Sequence, residues 1–381
     1  MDRHDGGLGR VQHARPKKNN PVHPLAGADW TTLLNVLAEN GGVSTSKLGK
    51  LLPVLGSVLG RSPCSLLEKI GTLHLEDEPF EHPPVFIIGH WRSGTTHLYN
   101  ILAKSPMIGY VPPLATGLPW DMLGIARVFR PLLERALPSE RFIDRVPVNP
   151  DSPQEDEIAL ASMTHMSFYH GIYFPERLQE LFDRGIFFDG ATEADIEDWN
   201  HVFLLYLKKL QVLFPGRQLF IKNPVYTARV AHIRKLIPNA KFIHIHRNPY
   251  IVFQSMRNFW NKLLREFALQ DECDVDIDEL ILGAYPRMMD LAEKDCSKLP
   301  EGDFVQMSYE DLEKDPLGQI RNILQGLNLD HYAEGESWFR TYLASVKSYK
   351  KNSYDISDED NQKVYSRWSG FINQWNYLPP C

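Results

Sequence analysis

A glycine-framed turn rich in hydroxyl groups directly follows an apolar run at 84–88. This pattern predicts a buried strand, a phosphate-binding loop and a helix, because a helix N-terminus carries unpaired amides and a partial positive charge. Gly89 and Gly94 have the spacing of a nucleotide P-loop, but Thr95 occupies the position of its lysine, and Arg92 brings the positive charge into the turn. These residues favour a 5′-phosphate site over the site of an ordinary ATPase.

A second apolar run, 241–246, ends at Arg247, and Asn248 with Pro249 then opens a helix. On that helix Ser255 lies about two turns beyond Arg247. An arginine at the carboxyl end of a strand and a hydroxyl on the adjoining helix can bind a second phosphate where open α/β sheets bind ligands. Taken alone, Arg247 would as readily form a surface salt bridge.

Three consecutive acids at 155–157 precede a helix-like stretch at 158–161. Acids at a helix N-terminus often act only as caps and dipole partners, so the run is either structural or part of an active site. His97, His165 and His170 are further candidates for proton transfer. A lone histidine on an apolar helix is more often part of the core.

Together these segments resemble the sulfotransferases that use 3′-phosphoadenosine 5′-phosphosulfate. The loop from Gly89 to Thr96 is similar to the family's 5′-phosphosulfate loop, and Arg247 with Ser255 matches its 3′-phosphate motif. Three further elements occur in family order. Ser152–Glu157 and Leu219–Pro224 resemble the bacterial-type branch related to tyrosylprotein sulfotransferases, and Met307–Leu312 is similar to an element of the family at a strand exit.

The resemblance implies a co-substrate, an acceptor and a set of donor-binding residues. The co-substrate is 3′-phosphoadenosine 5′-phosphosulfate, and the acceptor is a small-molecule or lipid-like hydroxyl group, or less commonly an amine. The implied donor-binding residues are Arg92, Ser93, Gly94, Thr95, Thr96, Arg247 and Ser255, with Lys350 or Lys351 closing the site from near the carboxyl end. A plain solvated charge run is the alternative for the two lysines.

Two cations have implied catalytic roles. Arg92 would neutralise the leaving group, and Lys222, at the end of a strand at 218–222, would lie beside the sulfuryl group in transfer. The alternative for Lys222 is a side chain that reaches from the strand end to water.

The general base does not follow from the resemblance. Tyrosylprotein sulfotransferases use a glutamate that follows the phosphate loop, whereas residues 109–114 of this chain contain no acid. The candidates are therefore Glu155, Asp156 and His97, each of which can accept a proton.

No metal site is expected. A sulfuryl group in transfer carries less negative charge than a phosphoryl group, so side-chain cations and amides can stabilise it. The strand 241–246 ends in Arg247, where a Walker-type enzyme would place an aspartate for Mg²⁺. The alternative functions are a nucleotide or small-metabolite kinase with a degenerate P-loop and a catalytically inactive nucleotide-binding scaffold.

The composition sets limits on the class of protein. The chain has 381 residues, of which 43% are hydrophobic, and a net charge of -7 at pH 7. This length allows a large core, and the negative charge argues against a general nucleic-acid binder. The four cysteines lack the spacing of a zinc site or a disulfide framework, which fits a reducing compartment.

The predicted fold is α/β, with a P-loop-like parallel sheet flanked by helices and a large helical insertion. We expect a disordered tail at 1–28, which carries the basic cluster Arg15–Lys18, and a single domain at 29–381 with a helical lead-in at 29–75. Trp30, Leu33, Leu34 and Leu37 are spaced for one apolar face in that lead-in.

The predicted elements follow from the apolar patterns. Strands are expected at 85–89, 218–222, 241–246 and 303–307, and helices at 94–104, 225–236, 249–266, 276–294 and 316–326. The insertion at 106–215 has no strong strand pattern. Its recurring aromatic residues, such as Trp120, Phe168 and Tyr169, would either form an acceptor pocket or belong to the core.

A membrane-spanning segment is not expected. The apolar stretch Leu48–Leu59 contains Lys50 and Pro53 and is far shorter than the roughly 20 residues that span a bilayer. The sequence therefore favours a cytoplasmic enzyme, with a homo-oligomer possible.

Overall fold

The computed structural model describes residues 22–136, 150–271, 274–347 and 356–380. A parallel sheet of five strands organises them. The strands are β1 Val85–Ile88, β2 Ile108–Gly109, β3 Gln218–Lys222, β4 Lys241–His246 and β5 Phe304–Ser308. Their order in the sheet is β2-β3-β1-β4-β5. The α/β class and the flanked parallel sheet are as predicted.

Helices cover the sheet and fill the long connections. They are α1 Trp30–Glu39, α2 Leu48–Thr72, α3 Thr95–Leu102, α4 Pro113–Gly117, α5 Ile125–Val128, α6 Arg130–Ala136, α7 Glu157–Leu160, α8 Tyr169–Tyr173, α9 Leu178–Phe187, α10 Glu193–Leu213, α11 Val230–Leu236, α12 Pro249–Phe267, α13 Ile277–Cys296, α14 Tyr309–Lys314, α15 Pro316–Gly326, α16 Tyr332–Ser345 and α17 Asp358–Gln374. Short 3-10 helices occur at Pro24–Gly27, Thr45–Lys47, Leu73–Asp77, Pro175–Arg177 and Pro224–Ala228.

Most predicted elements appear within two residues of their expected ends, with two exceptions. The helix expected at 225–236 is a 3-10 helix at Pro224–Ala228 followed by α11. The insertion 106–215 contains β2, which the sequence did not predict. A strand of two residues is too short to show a pattern, and β2 forms because Ile108 and Gly109 pair with Gln218 and Leu219 of β3.

The central strands are buried on both faces, which explains their continuous apolar runs. Phe86 and Ile88 of β1 pack into the core cluster that contains α10 and α12. Val85 and Ile87 point to the opposite face, into the cluster that contains α3 and α15. The aromatic residues Trp120, Phe168 and Tyr169 of the insertion are buried in the first cluster, so they are core.

The amino-terminal boundary differs from the prediction. Residues 22–28 were assigned to a disordered tail, but Pro24–Gly27 forms a 3-10 helix whose Leu25 is fully buried. The carbonyl oxygen of Ala26 accepts a hydrogen bond of 2.9 Å from the Ser57 hydroxyl of α2. Burial of Leu25 therefore ties this segment to the core, and residues 1–21 lie outside the described part of the chain.

The predicted apolar face of α1 is only partly correct. Leu33 is buried, but Trp30 and Leu34 are exposed, and Val36 joins the buried face instead. The helix is therefore rotated relative to the expected face.

The strand order creates a ligand crevice between β1 and β4. From β1 the chain moves to β2 on one side of the sheet, and from β4 it moves to β5 on the other side. Open α/β sheets bind ligands at such a switch point, outside the carboxyl ends of the strands. The loop after β1 and Arg247 after β4 therefore share one crevice. Within the described residues no helix is long and apolar enough to cross a membrane, and the cytoplasmic location stays a prediction.

Candidate active site

The loop between β1 and α3 has an unusual backbone. Gly89, Arg92 and Gly94 all have positive φ angles, of 136°, 70° and 97°. An arginine in the left-handed region is uncommon and points to a functional constraint. A side chain at Gly89 would overlap the carbonyl oxygen of Ile245 on β4, so only glycine allows the close approach of the loop to that strand.

The side chains of Arg92, Arg247 and Ser255 meet at the crevice. Arg92 Nε donates a hydrogen bond of 2.8 Å to the Ser255 hydroxyl on α12, and Arg247 donates one of 3.3 Å to the carbonyl oxygen of Arg92. The structure therefore brings together the residues that the sequence placed on the two phosphate motifs. Thr95 and Thr96 begin α3 directly beside them.

Ser93 has a buried hydroxyl that no described residue hydrogen-bonds. A buried hydroxyl without a partner costs free energy unless a ligand or water satisfies it. Its position between Arg92 and the N-terminus of α3 is suited to an anion.

Tyr309 at the start of α14 covers the loop. A Cβ atom at Gly94 would overlap its ring, and the guanidinium carbon of Arg247 lies 4.4 Å from the ring centroid. Cation–π contact holds an arginine over an aromatic face. Tyr309 therefore packs against both Arg247 and the loop, a contact that its place in the Met307–Leu312 element did not reveal.

The carboxyl-terminal segment lies at the end of β4. Tyr377 donates a hydrogen bond of 2.8 Å to Glu310, and its hydroxyl lies 3.0 Å from the His246 ring nitrogen. The carbonyl oxygen of Leu378 accepts a hydrogen bond of 2.8 Å from Asn248. Residues near the carboxyl end thus reach the Arg247 side of the site, whereas Lys350 and Lys351 lie outside the described residues.

Lys222 and Glu155 form an ion pair at the carboxyl end of β3. Lys222 is opposite Ile87 in the parallel register with β1, which places it beside the phosphate loop. The Lys222 side chain is 2% exposed and the Glu155 side chain 14%. Lys222 is therefore buried against a carboxylate, and its side chain does not extend to water.

Asp156 and Glu157 are fully buried beneath this pair. Asn223 Nδ2 donates hydrogen bonds of 3.0 Å to Asp156 and 2.8 Å to Glu157. Tyr226 donates to the second oxygen of Asp156, and Ser167 donates to Glu157 at 2.7 Å. The Asp156 side chain makes no capping hydrogen bond to α7, although it directly precedes that helix. The side chains of Asp156 and Glu157 belong instead to a buried hydrogen-bonded network.

Burial changes the protonation of this network. Loss of hydration raises the pKa of Asp156 to about 8, against the hydrogen bond from Tyr226, which lowers it. Burial also raises the pKa of Glu157, while the nearby charge of Arg229 and the hydrogen bonds from Ser167 and Asn223 lower it. Asp156 is therefore largely protonated at neutral pH, which limits the negative charge that the site must bury.

The histidine candidates lie elsewhere. The His97 ring contacts the Tyr309 ring with centroids 6.4 Å apart, whereas the ion pair of Lys222 and Glu155 lies at the end of β3. His165 pairs with Asp195 at 2.9 Å. His170 is fully buried with its ring nitrogens 2.9 and 3.0 Å from carbonyl oxygens, and burial lowers its pKa to about 4. His170 is therefore a core residue.

The acidic run lies against the segment that lacks an acid. The main-chain N–H of Gln154 donates a hydrogen bond of 2.9 Å to the carbonyl oxygen of Val111, within residues 109–114. Glu155 therefore lies beside the segment in which the resemblance would place the base.

Sequence reasoning missed Asn223, Tyr226 and Thr227, which support the site from the 3-10 helix after β3. Thr227 accepts a hydrogen bond of 2.8 Å from the main-chain N–H of Gly89, and so fixes the start of the phosphate loop. Only Asn223 had a sequence signal, because it directly follows Lys222. Among the described residues, no group of three or more histidine, cysteine or acidic residues is arranged to hold a metal ion, and metal independence stays a prediction.

Comparison with known proteins agrees with this geometry. Residues 83–334 match the family model described as the sulfotransferase family. The chain is 29% identical over 296 residues to the omega-hydroxy-beta-dihydromenaquinone-9 sulfotransferase Stf3 of Mycobacterium bovis, and equally to the protein of that name from Mycobacterium tuberculosis. Each alignment covers 77% of this chain and 75% of the relative.

Solved structures share the fold. The sulfotransferase STF9 from Mycobacterium avium is similar with a TM-score of 0.66 and 17% identity, over 84% of this chain and 83% of that chain. The sulfotransferase STF1 from Mycobacterium tuberculosis has a TM-score of 0.62 and 17% identity, over 89% of this chain and 90% of that chain.

The raised pKa of Asp156 predicts a pH-dependent stability. Between pH 3.8 and about pH 8, Asp156 stays protonated in the folded protein but is ionised in the unfolded chain. The contribution of Asp156 to the stability of the fold therefore decreases as pH rises through that range. Asp156→Asn cannot ionise, so its stability relative to wild type should improve by about 1 kcal/mol per pH unit from about pH 5 to about pH 8 in urea unfolding. The exposed Glu301→Gln is the control. A stability difference between Asp156→Asn and wild type that does not change with pH would contradict the raised pKa.

Proposed function

The chain belongs to the sulfotransferase family, and from this premise we propose that it transfers the sulfuryl group of 3′-phosphoadenosine 5′-phosphosulfate to a hydroxyl group of a lipid-like acceptor. Membership makes the protein an enzyme of sulfuryl transfer, so the kinase and the inactive scaffold are not favoured. The observation that carries the proposal is the ion pair of Lys222 and Glu155 beside the phosphate loop.

The residues around the crevice fit the donor's two phosphate groups. Arg92, with Ser93 and the N-terminus of α3, would bind the 5′ side, where the buried Ser93 hydroxyl requires a partner. Arg247 and Ser255 would bind the 3′-phosphate, and both contact Arg92. One guanidinium between the two sites would couple them. When bound, the donor supplies the sulfuryl group.

Glu155 is the best candidate for the general base among the three acids. A base must reach the acceptor, and Asp156 and Glu157 are fully buried, whereas Glu155 is partly exposed. Asp156, protonated at neutral pH, would hold Asn223 and the acidic run in place and not touch the acceptor. In this proposal His97 has no part in proton transfer, because its ring packs against Tyr309, whereas Glu155 pairs with Lys222.

Lys222 would serve both partners of the reaction. Its ammonium group pairs with the Glu155 carboxylate and would position it to accept the proton of the acceptor hydroxyl. The same group would lie beside the sulfuryl group in transfer, where a contact that strengthens in the transition state increases the rate. In the in-line displacement, the acceptor oxygen bonds to sulfur as the bond to the phosphate oxygen breaks, and Glu155 takes the proton.

The acceptor class is inferred from relatives. The two Stf3 proteins are named for a hydroxylated menaquinone, which is a lipid quinone, and their alignment with this chain extends over 77% of it. We therefore propose that the acceptor of this protein carries a hydroxyl group at the end of an apolar chain.

Arg247→Ala should selectively lower the affinity for a nucleotide that carries a 3′-phosphate. Removal of a charge-assisted contact should cost about 1.5–3 kcal/mol, a roughly tenfold to hundredfold loss of affinity for 3′-phosphoadenosine 5′-phosphate. Affinity for adenosine 5′-phosphate should hardly change. Isothermal titration measures both, with Arg265→Ala, an exposed arginine on α12, as the charge-matched control. Equal losses for the two nucleotides would remove Arg247 from the 3′ site.

The base predicts a pH profile. With labelled donor and a long-chain isoprenoid alcohol, the wild-type rate should decrease in acid, because protonation inactivates a carboxylate base. Glu155→Gln should slow transfer by about a hundredfold or more and remove this acidic limb, whereas Asp156→Asn should keep it. Unchanged rate and profile in Glu155→Gln would exclude this base. Absence of transfer to the alcohol, with transfer to a small hydrophilic alcohol instead, would exclude the acceptor class.

A further inference from the structure

Helix α2 presents an apolar surface to solvent. All 25 of its residues are described, and every exposed one is leucine, isoleucine, glycine or proline. Leu48, Leu52, Leu59, Leu66, Leu67 and Ile70 are between 47% and 70% exposed. Leu52, Leu59 and Leu66 follow each other at intervals of seven, which places them on one face of the helix. We call the surface of these six side chains the α2 face.

The charged residues of α2 point to the protein interior instead. Lys50 donates to the carbonyl oxygens of Glu266 and Ala268, and Lys69 pairs with Asp29. These bonds fix the rotation of the helix about its axis. A surface helix in water normally has the opposite arrangement, with its polar side outward.

Two buried ion pairs complete the same arrangement. Arg61 pairs with the fully buried Asp121, and Glu68 pairs with Lys209 at 2.7 Å. Turning the α2 face inward would break these pairs and leave charges buried without partners, which is costly. The exposed α2 face is therefore a built feature of the fold.

Other exposed apolar side chains occur on neighbouring segments. Val22 precedes the 3-10 helix at Pro24–Gly27, which packs on α2, and Trp30 and Leu34 lie on α1, which also packs on it. Apolar patches of this extent on a soluble surface mark sites of interaction.

The chain that leads to this surface is basic. Residues 1–21 contain five arginine and lysine residues against two aspartates, although the whole chain has a net charge of -7. They join the described structure at Val22, beside α2. An apolar helix face together with a polybasic segment is the combination that binds anionic lipid surfaces. After Met1, this segment has only two aliphatic residues larger than alanine, Leu8 and Val11. They are too few to cover the α2 face.

The α2 face is linked to the segment that carries the base. The Glu68 carboxylate accepts a hydrogen bond of 2.7 Å from the N–H of Gly124, next to α5. Val128 of α5 and Phe129 after it are exposed, and Arg130 lies 3.2 Å from Asp151, four residues before Glu155. These contacts therefore connect α2, through the α5 region and Arg130, with the chain segment that leads to Glu155.

We propose that the enzyme lies on an anionic lipid bilayer through the α2 face, with its basic amino-terminal residues adding electrostatic attraction. The proposal rests on the lipid-like acceptor proposed above, which the bilayer would hold beside the site. The helix lies on the surface and does not span it, because four charged side chains are held by the protein.

Flotation with vesicles tests this surface. The full chain should float with vesicles of phosphatidylglycerol and phosphatidylcholine in equal amounts, and less with phosphatidylcholine alone. Leu59→Glu/Leu66→Glu should lower the partition coefficient by about tenfold or more, because it places charges in the apolar contact. Val212→Glu/Trp338→Glu, which changes two exposed apolar residues on α10 and α16, is the matched control and should float like wild type.

Activity separates this proposal from the proposed function. Both double variants should keep the wild-type rate with a short, water-soluble isoprenoid alcohol, and circular dichroism should show an unchanged fold. Flotation without any transfer to isoprenoid alcohols would support the surface and contradict the acceptor. A wild type that does not float, or a Leu59→Glu/Leu66→Glu variant that floats equally, would overturn the proposal. The proposal would also be overturned if the wild type formed a dimer and did not bind vesicles, and Leu59→Glu/Leu66→Glu were a monomer. The α2 face would then be an interface between two copies of the chain.

Discussion

Burial of the Asp156 and Glu157 carboxylates, with the partly exposed Glu155 carboxylate beside them, is the constraint on which the rest of the site depends. Each needs compensation, because a buried charge without a partner is costly. Lys222 pairs with Glu155, Asn223 donates to both Asp156 and Glu157, and the raised pKa of Asp156 removes one charge. Because Lys222 is the last residue of β3 and Asn223 follows it, the register of β3 with β1 places the network beside the phosphate loop.

The second half of the site depends on the switch point of the sheet. Connections that leave β1 and β4 in opposite directions open a crevice between them, and the glycine at position 89 lets the loop approach β4. Arg92 then reaches Ser255 on α12, while Arg247 reaches back to the loop. In our proposal the donor occupies this crevice, and the sulfuryl group faces Lys222. Family membership supplies the reaction, and the described geometry supplies candidates for each role.

Local patterns predicted most of the fold and the residues that meet at the crevice, whereas other contacts between distant residues escaped the sequence. Buried parallel strands are apolar runs in the sequence. Arg92 lies in the loop after β1, Arg247 follows β4, and Ser255 is on α12. Lys222 and Glu155 are 67 positions apart, so no local pattern pairs them. The outward apolar face of α2 was equally hidden, because its rotation depends on Asp29, Asp121 and Lys209.

The central claim is that Lys222 and Glu155 act as one unit in sulfuryl transfer. Single-turnover rates for Lys222→Ala, Glu155→Gln and the double variant test it most directly, with product-nucleotide binding measured in each to confirm an intact donor site. Since each residue would depend on the other, the double variant should be no slower than the slower single variant. Rate losses that multiply in the double variant would show two independent residues and would contradict the account.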